Sequence, residues 1–261
     1  MKQYLEIMKQ AATECGSLIL DRSAMALNLS SKTSNRDVVT QYDISVQSAL
    51  VSRLHAAFPE AAFITEENAD TPSADGNVCF VIDPIDGTMN FVKHYHHSCI
   101  SLGCLVDGKP VAGVVYDPYK QELFSAAAGM GAFLNDTPIC VTPDDLSDTL
   151  VLFGTSPYNT ETTDQTFDTV KSIYTRCLDV RRTGSAALDL CYVACGRAGL
   201  YFEARLSLWD YAAGALILTE AGGTVTKLDG TPLDFQLGKS SVLAGTDKTI
   251  PQSGLLREVS E

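Results

Sequence analysis

From His97 onward the chain runs through four short apolar segments, HSCISLGCLVDG, PVAGVVYDP, QELFSAAAG and GAFLND, with turn signals at Asp107-Gly108 and Asp117-Pro118. Closely spaced strands joined in this way read as an antiparallel meander. The helices needed to cover it flank it in sequence. From Tyr4 to about Leu29, Leu5, Met8, Ala11, Ala12, Cys15, Leu18 and Ile19 fall at helical spacing. A second helix is expected to start near Asp43 as its N-cap, with Ile44, Leu50, Val51 and Leu54 on one face and Pro59 just past its end. Two short strands, AAFITEEN and VCFVID, come next.

The polar segment TPDDLSDT sets a boundary near residue 143, dividing the chain into an N-terminal α+β half, 1–143, and a C-terminal α/β half, 144–261. Beyond it strand and helix alternate: TLVLFGT, helix 163–176, a strand around Leu178 to Val180, helix 185–196, GLYFEA, helix 210–221, then strands GGTVTKL and SSVLAG. That alternation argues for an α/β layer. Together the halves form a layered sandwich of helices and two sheets, in one large domain or two intimately packed ones.

The eight cysteines are scattered through apolar segments without a CxxC pair, so they read as reduced, intracellular thiols. The opening MKQYLEIMKQAATECG lacks a signal peptide's apolar core, and no run approaches the roughly 20 apolar residues of a membrane span. A cytoplasmic protein is expected. With 19 basic and 32 acidic residues the net charge is −13, which opposes attraction to a nucleic-acid polymer or an anionic membrane. A phosphorylated ligand would need a local device against that field, and a divalent cation held by some of the acids supplies one.

Acids stand at the ends of several elements: Glu66-Glu67 after AAFIT, Asp83 and Asp86 after VCFVI, Glu203 after GLYF, and Asp210 after LSLW. An apolar strand that ends in an acid fixes that acid's backbone, which suits metal binding. Helix caps and solvated turns use the same residues. Asp210, before YAAGALILTEAGG, is placed to cap a helix and to offer a second oxygen to a metal. The turn DPIDGT is more specific. Pro84 fixes one dihedral and stops the strand, Gly87 tolerates positive φ, and Asp83 and Asp86 then point at one centre. The Ile85 carbonyl and the Thr88 hydroxyl add neutral oxygens, an all-oxygen set that suits Mg²⁺. The Gly87 and Thr88 amides are left to receive a phosphate.

ITEEN at 64–68, DPIDGTMNF at 83–91 and WDYAAGALILTEAGG at 209–223, in this order, resemble the inositol monophosphatase family of lithium-sensitive, magnesium-dependent phosphatases. DVVTQYD at 37–43 and GSAALDLCYVACGRAGLYFE at 184–203 extend the resemblance over almost the whole chain. It implies a five-layered αβαβα sandwich and two or three Mg²⁺ ions. By position, Glu66 resembles a shared metal ligand and water activator, Asp83 the carboxylate bridging two metals, Ile85 a carbonyl ligand, and Asp86 and Asp210 ligands of the second metal. Thr88 resembles the threonine that binds the nucleophilic water, and Asp43 an acid that holds a weaker third metal through water. Gly87 and Thr88 resemble the phosphate cradle; Ser185, Ala186 and Glu203, with Asp210, stand on the substrate side.

The expected activity is hydrolysis of inositol monophosphate or a related polyol or sugar phosphate, in a homodimer. Rival readings within the superfamily are a fructose bisphosphatase, a histidinol-phosphate phosphatase and a 3′-nucleotide phosphatase; outside it, a non-catalytic metal-binding regulator. Arg181, Arg182 and Arg205 are open as contacts to a second anion, Asp189 as a residue of the substrate mouth, and the KHYHH loop as substrate-facing through His96 or His97.

Overall fold

The computed structural model describes residues 1–21, 30–34, 37–39, 41–67, 77–157 and 160–256. Helix α1 (Lys2–Leu20) buries Leu5, Met8, Ala11, Ala12, Cys15 and Ile19, the face set by their spacing. It stops at Leu20, because Asp21 leaves helical geometry at φ −83° and ψ 85°. The rest of the expected helix, 22–29, lies outside the described residues. Strands β1 (Ser30–Ser34) and β2 (Asp37–Val39) form an antiparallel ribbon. Helix α2 (Gln41–Ala57) begins earlier than expected, so Asp43 sits inside its first turn and not at the cap. Its buried face is Tyr42, Val46, Leu50 and Leu54, stacked one turn apart, which leaves Ile44 exposed and Val51 only half-buried.

A seven-stranded sheet follows. Its strands are β3 (Ala62–Thr65), β4 (Val78–Asp86), β5 (Cys99–Val106), β6 (Lys109–Asp117), β7 (Glu122–Ala127), β8 (Ala132–Leu134) and β9 (Thr137–Ile139), with the short helix α3 (Thr88–Val92) after β4. They lie in chain order; β3 and β4 are parallel and every later pair antiparallel. The meander stands as read, with β9 added at its edge. Asp107 and Gly108 have φ of 50° and 72°, the left-handed pair that a two-residue hairpin needs.

The second sheet contains β10 (Leu150–Phe153), β11 (Asp179–Arg181), β12 (Leu200–Ser207), β13 (Thr224–Thr226) and β14 (Lys239–Gly245), in the order β11-β10-β12-β14-β13. β10 runs parallel to both neighbours, and β14 antiparallel to β12 and β13. The helices of this half are α4 (Thr163–Tyr174), α5 (Ala186–Ala194), α6 (Leu208–Glu220) and α7 (Thr249–Ser253).

Alternation along the strands separates three apolar layers. Phe80 and Ile82 of β4 face α1 and α2, while Cys79 and Val81 face a central core shared with α5, α6 and Tyr201 of β12. Leu200 and Phe202 of β12 point the other way, toward Ile173 of α4 and Ile250 of α7. The layers are therefore α1 and α2, the seven-stranded sheet, α5 and α6, the five-stranded sheet, and α4 and α7: the αβαβα sandwich. The central core draws residues from both sides of residue 143.

One seam of this sandwich positions the site. Gly103 and Gly113 are register partners on β5 and β6, beneath Ala212 and Ala213 of α6. A Cβ on Gly113 would lie 2.8 Å from the Ala213 carbonyl oxygen. The bare backbone lets α6 lie close on the sheet, and the Trp209 carbonyl accepts a hydrogen bond from Ser101 Oγ at 3.3 Å. The start of α6 is thereby held over the end of β4.

Candidate active site

The DPIDGT segment does not end its strand at Pro84; β4 continues to Asp86 through a bulge. Asp83 pairs with Ser101 and Asp86 with Cys99, so β4 spends one more residue than β5 across this interval. In a regular strand residues three apart face opposite sides of the sheet. The extra residue puts Asp83 and Asp86 on one side, and proline is tolerated because a bulge needs no ladder donor from it. The Ile85 amide donates to Asp83 Oδ1 at 3.0 Å and holds the bulge shut.

Asp210 arrives from α6. Ser207, not Asp210, is the N-cap; Asp210 is the third helical residue, and its Oδ2 accepts from the Ser207 amide at 2.6 Å in a capping box. One oxygen of each of Asp83, Asp86 and Asp210 lies within 4.8 Å of the others. Asp86 is pinned from the far side: its Oδ2 accepts from Ser185 Oγ at 2.6 Å and from the Ala187 amide at 2.8 Å. Burial raises the Asp83 carboxyl well above the usual range, followed by the charges of Glu66, Asp86 and Asp210. Burial and the neighbouring acids likewise push Asp210 well up. Asp86 is pushed up to about 6, chiefly by burial and partly offset by Ser185 and Ala187. Carboxylates buried together without a cation are a costly arrangement, and hard-oxygen donors at this spacing are the ligand chemistry of a divalent ion.

The three acids line a cleft of about 610 Å³ with Glu66, Ile85, Gly87, Thr88, Ser185, Ala186 and Glu203. Gly87, at φ +89°, caps α3, and Thr88 opens it. Thr88 Oγ1 donates to the Ile85 carbonyl at 3.2 Å and lies 3.4 Å from Asp43 Oδ1. Asp43 is fully buried and is not among the cleft-lining residues; it meets the site through Thr88.

On the other wall Ser185 caps α5, accepting from the Leu188 amide at 3.4 Å while it donates to Asp86. Its hydroxyl is committed to positioning a carboxylate. Ser185→Ala is expected to weaken divalent-cation binding at the acidic centre about tenfold, in the range lost with a ligand's supporting hydrogen bond. Calorimetric titration of the metal-free protein with a divalent cation checks this. Glu203, buried on β12, accepts from the Ser156 amide at 2.8 Å and from Tyr201 OH at 2.8 Å. Asp189 also lines the cleft and accepts from Thr183 Oγ1 at 2.6 Å.

Of the arginines, Arg182 and Arg205 line the cleft, whereas Arg181 pairs with Asp179 and does not. The histidines stand apart from it. His96 stacks on Tyr119 at 5.0 Å, and His97 packs edge-on against Tyr192 at 5.8 Å, its imidazole pushed down to about 4, chiefly by burial. Several cleft residues escaped the sequence reading, Asn90, Ser156 and Lys239 among them. Asn90 Nδ2 ties the His97 and Thr183 carbonyls together at 2.7 and 2.9 Å. Ser156 holds Glu203. Lys239 reaches the cleft from β14, hydrogen-bonded to Ser207 Oγ and 5.8 Å from the Trp209 ring centroid. Asn90 stands inside the recognised DGTMNF run and could have been found there; Ser156 and Lys239 carry no local signal.

Two mixed sheets with helices between and outside them, and a hard-oxygen centre opening on a polar cleft, define a layered α/β protein suited to holding a divalent cation. The chain belongs to the inositol monophosphatase family, which it matches along residues 1–261. It is 37% identical over 240 residues to the inositol-1-monophosphatase of Synechocystis sp., spanning 92% of this chain and 84% of that relative. It is 39% identical over 249 residues to the Nus factor SuhB of Escherichia coli K12, spanning 94% and 90%. The crystal structure of the extragenic suppressor protein suhB from Bartonella henselae superposes with a TM-score of 0.91 at 31% identity, covering 98% of this chain and 99% of that one.

Proposed function

We propose that the protein is a Mg²⁺-dependent phosphomonoesterase acting on inositol monophosphate or a related polyol or sugar phosphate. The observation that carries this reading is the convergence of Asp83, Asp86 and Asp210 within 4.8 Å at the end of a polar cleft. Membership of the inositol monophosphatase family supports a phosphatase. Glu66, Asp83 and the Ile85 carbonyl would hold one ion, Asp83, Asp86 and Asp210 a second, and Asp43 a third through water. Bound there, such ions orient and acidify a water, neutralise phosphoryl oxygens and stabilise the departing alkoxide.

The chain's own groups do the rest. The Gly87 and Thr88 amides receive the phosphoryl oxygens at the start of α3, Glu66 accepts the proton of the attacking water, and the Thr88 hydroxyl orients that water. Glu203, with the Ser185–Ala186 segment, receives the hydroxyls of the leaving alcohol. No side chain is phosphorylated in this scheme. Phosphate release across a panel of phosphomonoesters, with and without Mg²⁺, tests it. Metal-dependent release from myo-inositol 1-phosphate, inhibited by lithium, is the expected result; release that ignores Mg²⁺ overturns it.

A second reading is favoured by one observation, the 39% identity to a relative named as a Nus factor. It assigns this chain a binding role beside catalysis or in place of it. Activity on no ester in the panel would favour that role. The homodimer, and the absence of a nucleic-acid or membrane partner, remain part of the proposal; among the described residues no helix is long and apolar enough to cross a membrane.

A further inference from the structure

Glu203 stands apart from the group formed by Asp83, Asp86 and Asp210, and the fold grips it from three directions. The Tyr201 hydroxyl, two residues back on β12, donates to its Oε2 at 2.8 Å. The Ser156 amide donates to its Oε1 at 2.8 Å. The Ser156 hydroxyl lies 3.2 Å from the same oxygen and 3.1 Å from the Arg205 carbonyl, with a single proton for the two acceptors. Beneath the carboxylate the backbone is bare, because a Cβ on Gly154 would run into Glu203 Oε2. The segment 154–156 follows β10, the parallel neighbour of β12, and the Gly154 amide donates to the Phe202 carbonyl at 3.0 Å.

Ser156 occupies this place under strain. Its φ is +41°, in the left-handed region that a residue with a Cβ enters at a cost. Such a conformation persists where the surroundings over-determine it, and Ser156 is buried. Glycine would meet the backbone requirement but would lack the hydroxyl. Tyr201 is fully buried, and its hydroxyl is committed to Glu203. Burial pushes the Glu203 carboxyl up, and Tyr201, Ser156 and Arg182 oppose that push. A carboxylate offers about four acceptor sites, and the donors of Ser156 and Tyr201 take only part of them. The rest are left for a ligand in the cleft that Glu203 lines.

We infer that Ser156 and Tyr201 are positioning residues that act through Glu203, holding its carboxylate where it accepts from hydroxyls of the leaving alcohol, so that the protein selects polyol esters over esters of alcohols without hydroxyls. This rests on the phosphomonoesterase reading and deepens it. The hydroxyl contacts form away from the reacting bond, and what they contribute is the orientation of the ester at the acidic centre. A carboxylate free to change rotamer would accept the same hydroxyls in several poses, of which few place the phosphate correctly.

The test compares kcat/KM for myo-inositol 1-phosphate and cyclohexyl phosphate, which share a cyclohexane ring and differ in its hydroxyls, at saturating Mg²⁺. The proteins are the wild type, Ser156→Gly, Tyr201→Phe, Glu203→Ala, and Glu203→Ala combined with Ser156→Gly. The wild type is expected to prefer the inositol ester at least about a hundredfold. Ser156→Gly and Tyr201→Phe each lower that preference about tenfold, the scale of one hydrogen bond to a charged group. With Glu203→Ala in place, Ser156→Gly lowers it no further, the signature of a residue that acts through another. Glycine is at ease at positive φ, so Ser156→Gly keeps the fold, as thermal melting checks, and carries the test even where Tyr201→Phe does not fold. A wild-type ratio near one, a ratio that Ser156→Gly does not move, or an equal loss on both esters overturns the positioning role and leaves the phosphatase standing. Hydrolysis of no ester at all removes both.

Discussion

Asp83→Asn is expected to lower phosphate release by more than about a hundredfold while making the metal-free protein more stable. The first effect follows from position. Loss of a group that merely supports a ligand costs about 10–100-fold, and Asp83 is proposed as a ligand to both ions. The second effect follows from charge. The Asp83 carboxyl is held well above the usual range by burial and by Glu66, Asp86 and Asp210, so the folded chain resists its ionisation. A carboxyl raised in the folded state contributes stability that is full below its unfolded value and lost as pH rises through the folded one. For Asp86 that window runs from 3.8 to about 6.

At pH 8 the Asp86 cost is fully incurred, and the raised Asp83 carboxyl also costs the metal-free wild type stability, which asparagine, having no carboxyl to ionise, does not. A gain of about 2 kcal/mol, or several degrees in Tm, is expected. It should shrink as the pH is lowered, and Mg²⁺ should raise the Tm of the wild type far more than that of the variant. Thermal melts at two pH values, with chelator and with Mg²⁺, separate these effects. A variant less stable than the wild type without metal at pH 8 would show that the acidic cluster is not under strain.

Gly113→Val attacks the same centre from the fold. The added Cβ meets backbone, the Ala213 carbonyl oxygen at 2.8 Å, and backbone has no rotamer with which to yield. Overpacking of this kind costs about 3 kcal/mol, or roughly 6–12 °C in a chain of this size. Since α6 carries Asp210, lifting the helix also moves a ligand. The expected result is a fall in Tm together with a rise of about tenfold or more in the Mg²⁺ requirement. A variant that melts early yet keeps the wild-type metal requirement would separate the seam from the site.

The acids of the site were legible because each follows a short apolar strand, a local pattern that survives folding. What local pattern did not carry was aim. Asp83 and Asp86 share a side of the sheet only because β4 bulges, and the bulge is defined by its pairing with Ser101 and Cys99 on another strand. Asp210 read as a cap, yet Ser207 had the better claim, freeing one Asp210 oxygen for the centre. α2 was placed late because Asp43 is a good capping residue, whereas burial of Tyr42 against Phe91 set the start of the helix. Arg181 and Arg182 were indistinguishable as neighbours; the end of β11 turns the first to Asp179 and the second to the cleft. Lys239 was invisible, since only its pairing with Ser207 brings it there.

The most direct measurement is phosphate release from myo-inositol 1-phosphate by chelator-treated wild-type protein as Mg²⁺ is added back. A centre built from Asp83, Asp86 and Asp210 should be silent without the ion and saturate as it is restored. Full activity in chelator, or none at any Mg²⁺ concentration, would contradict it.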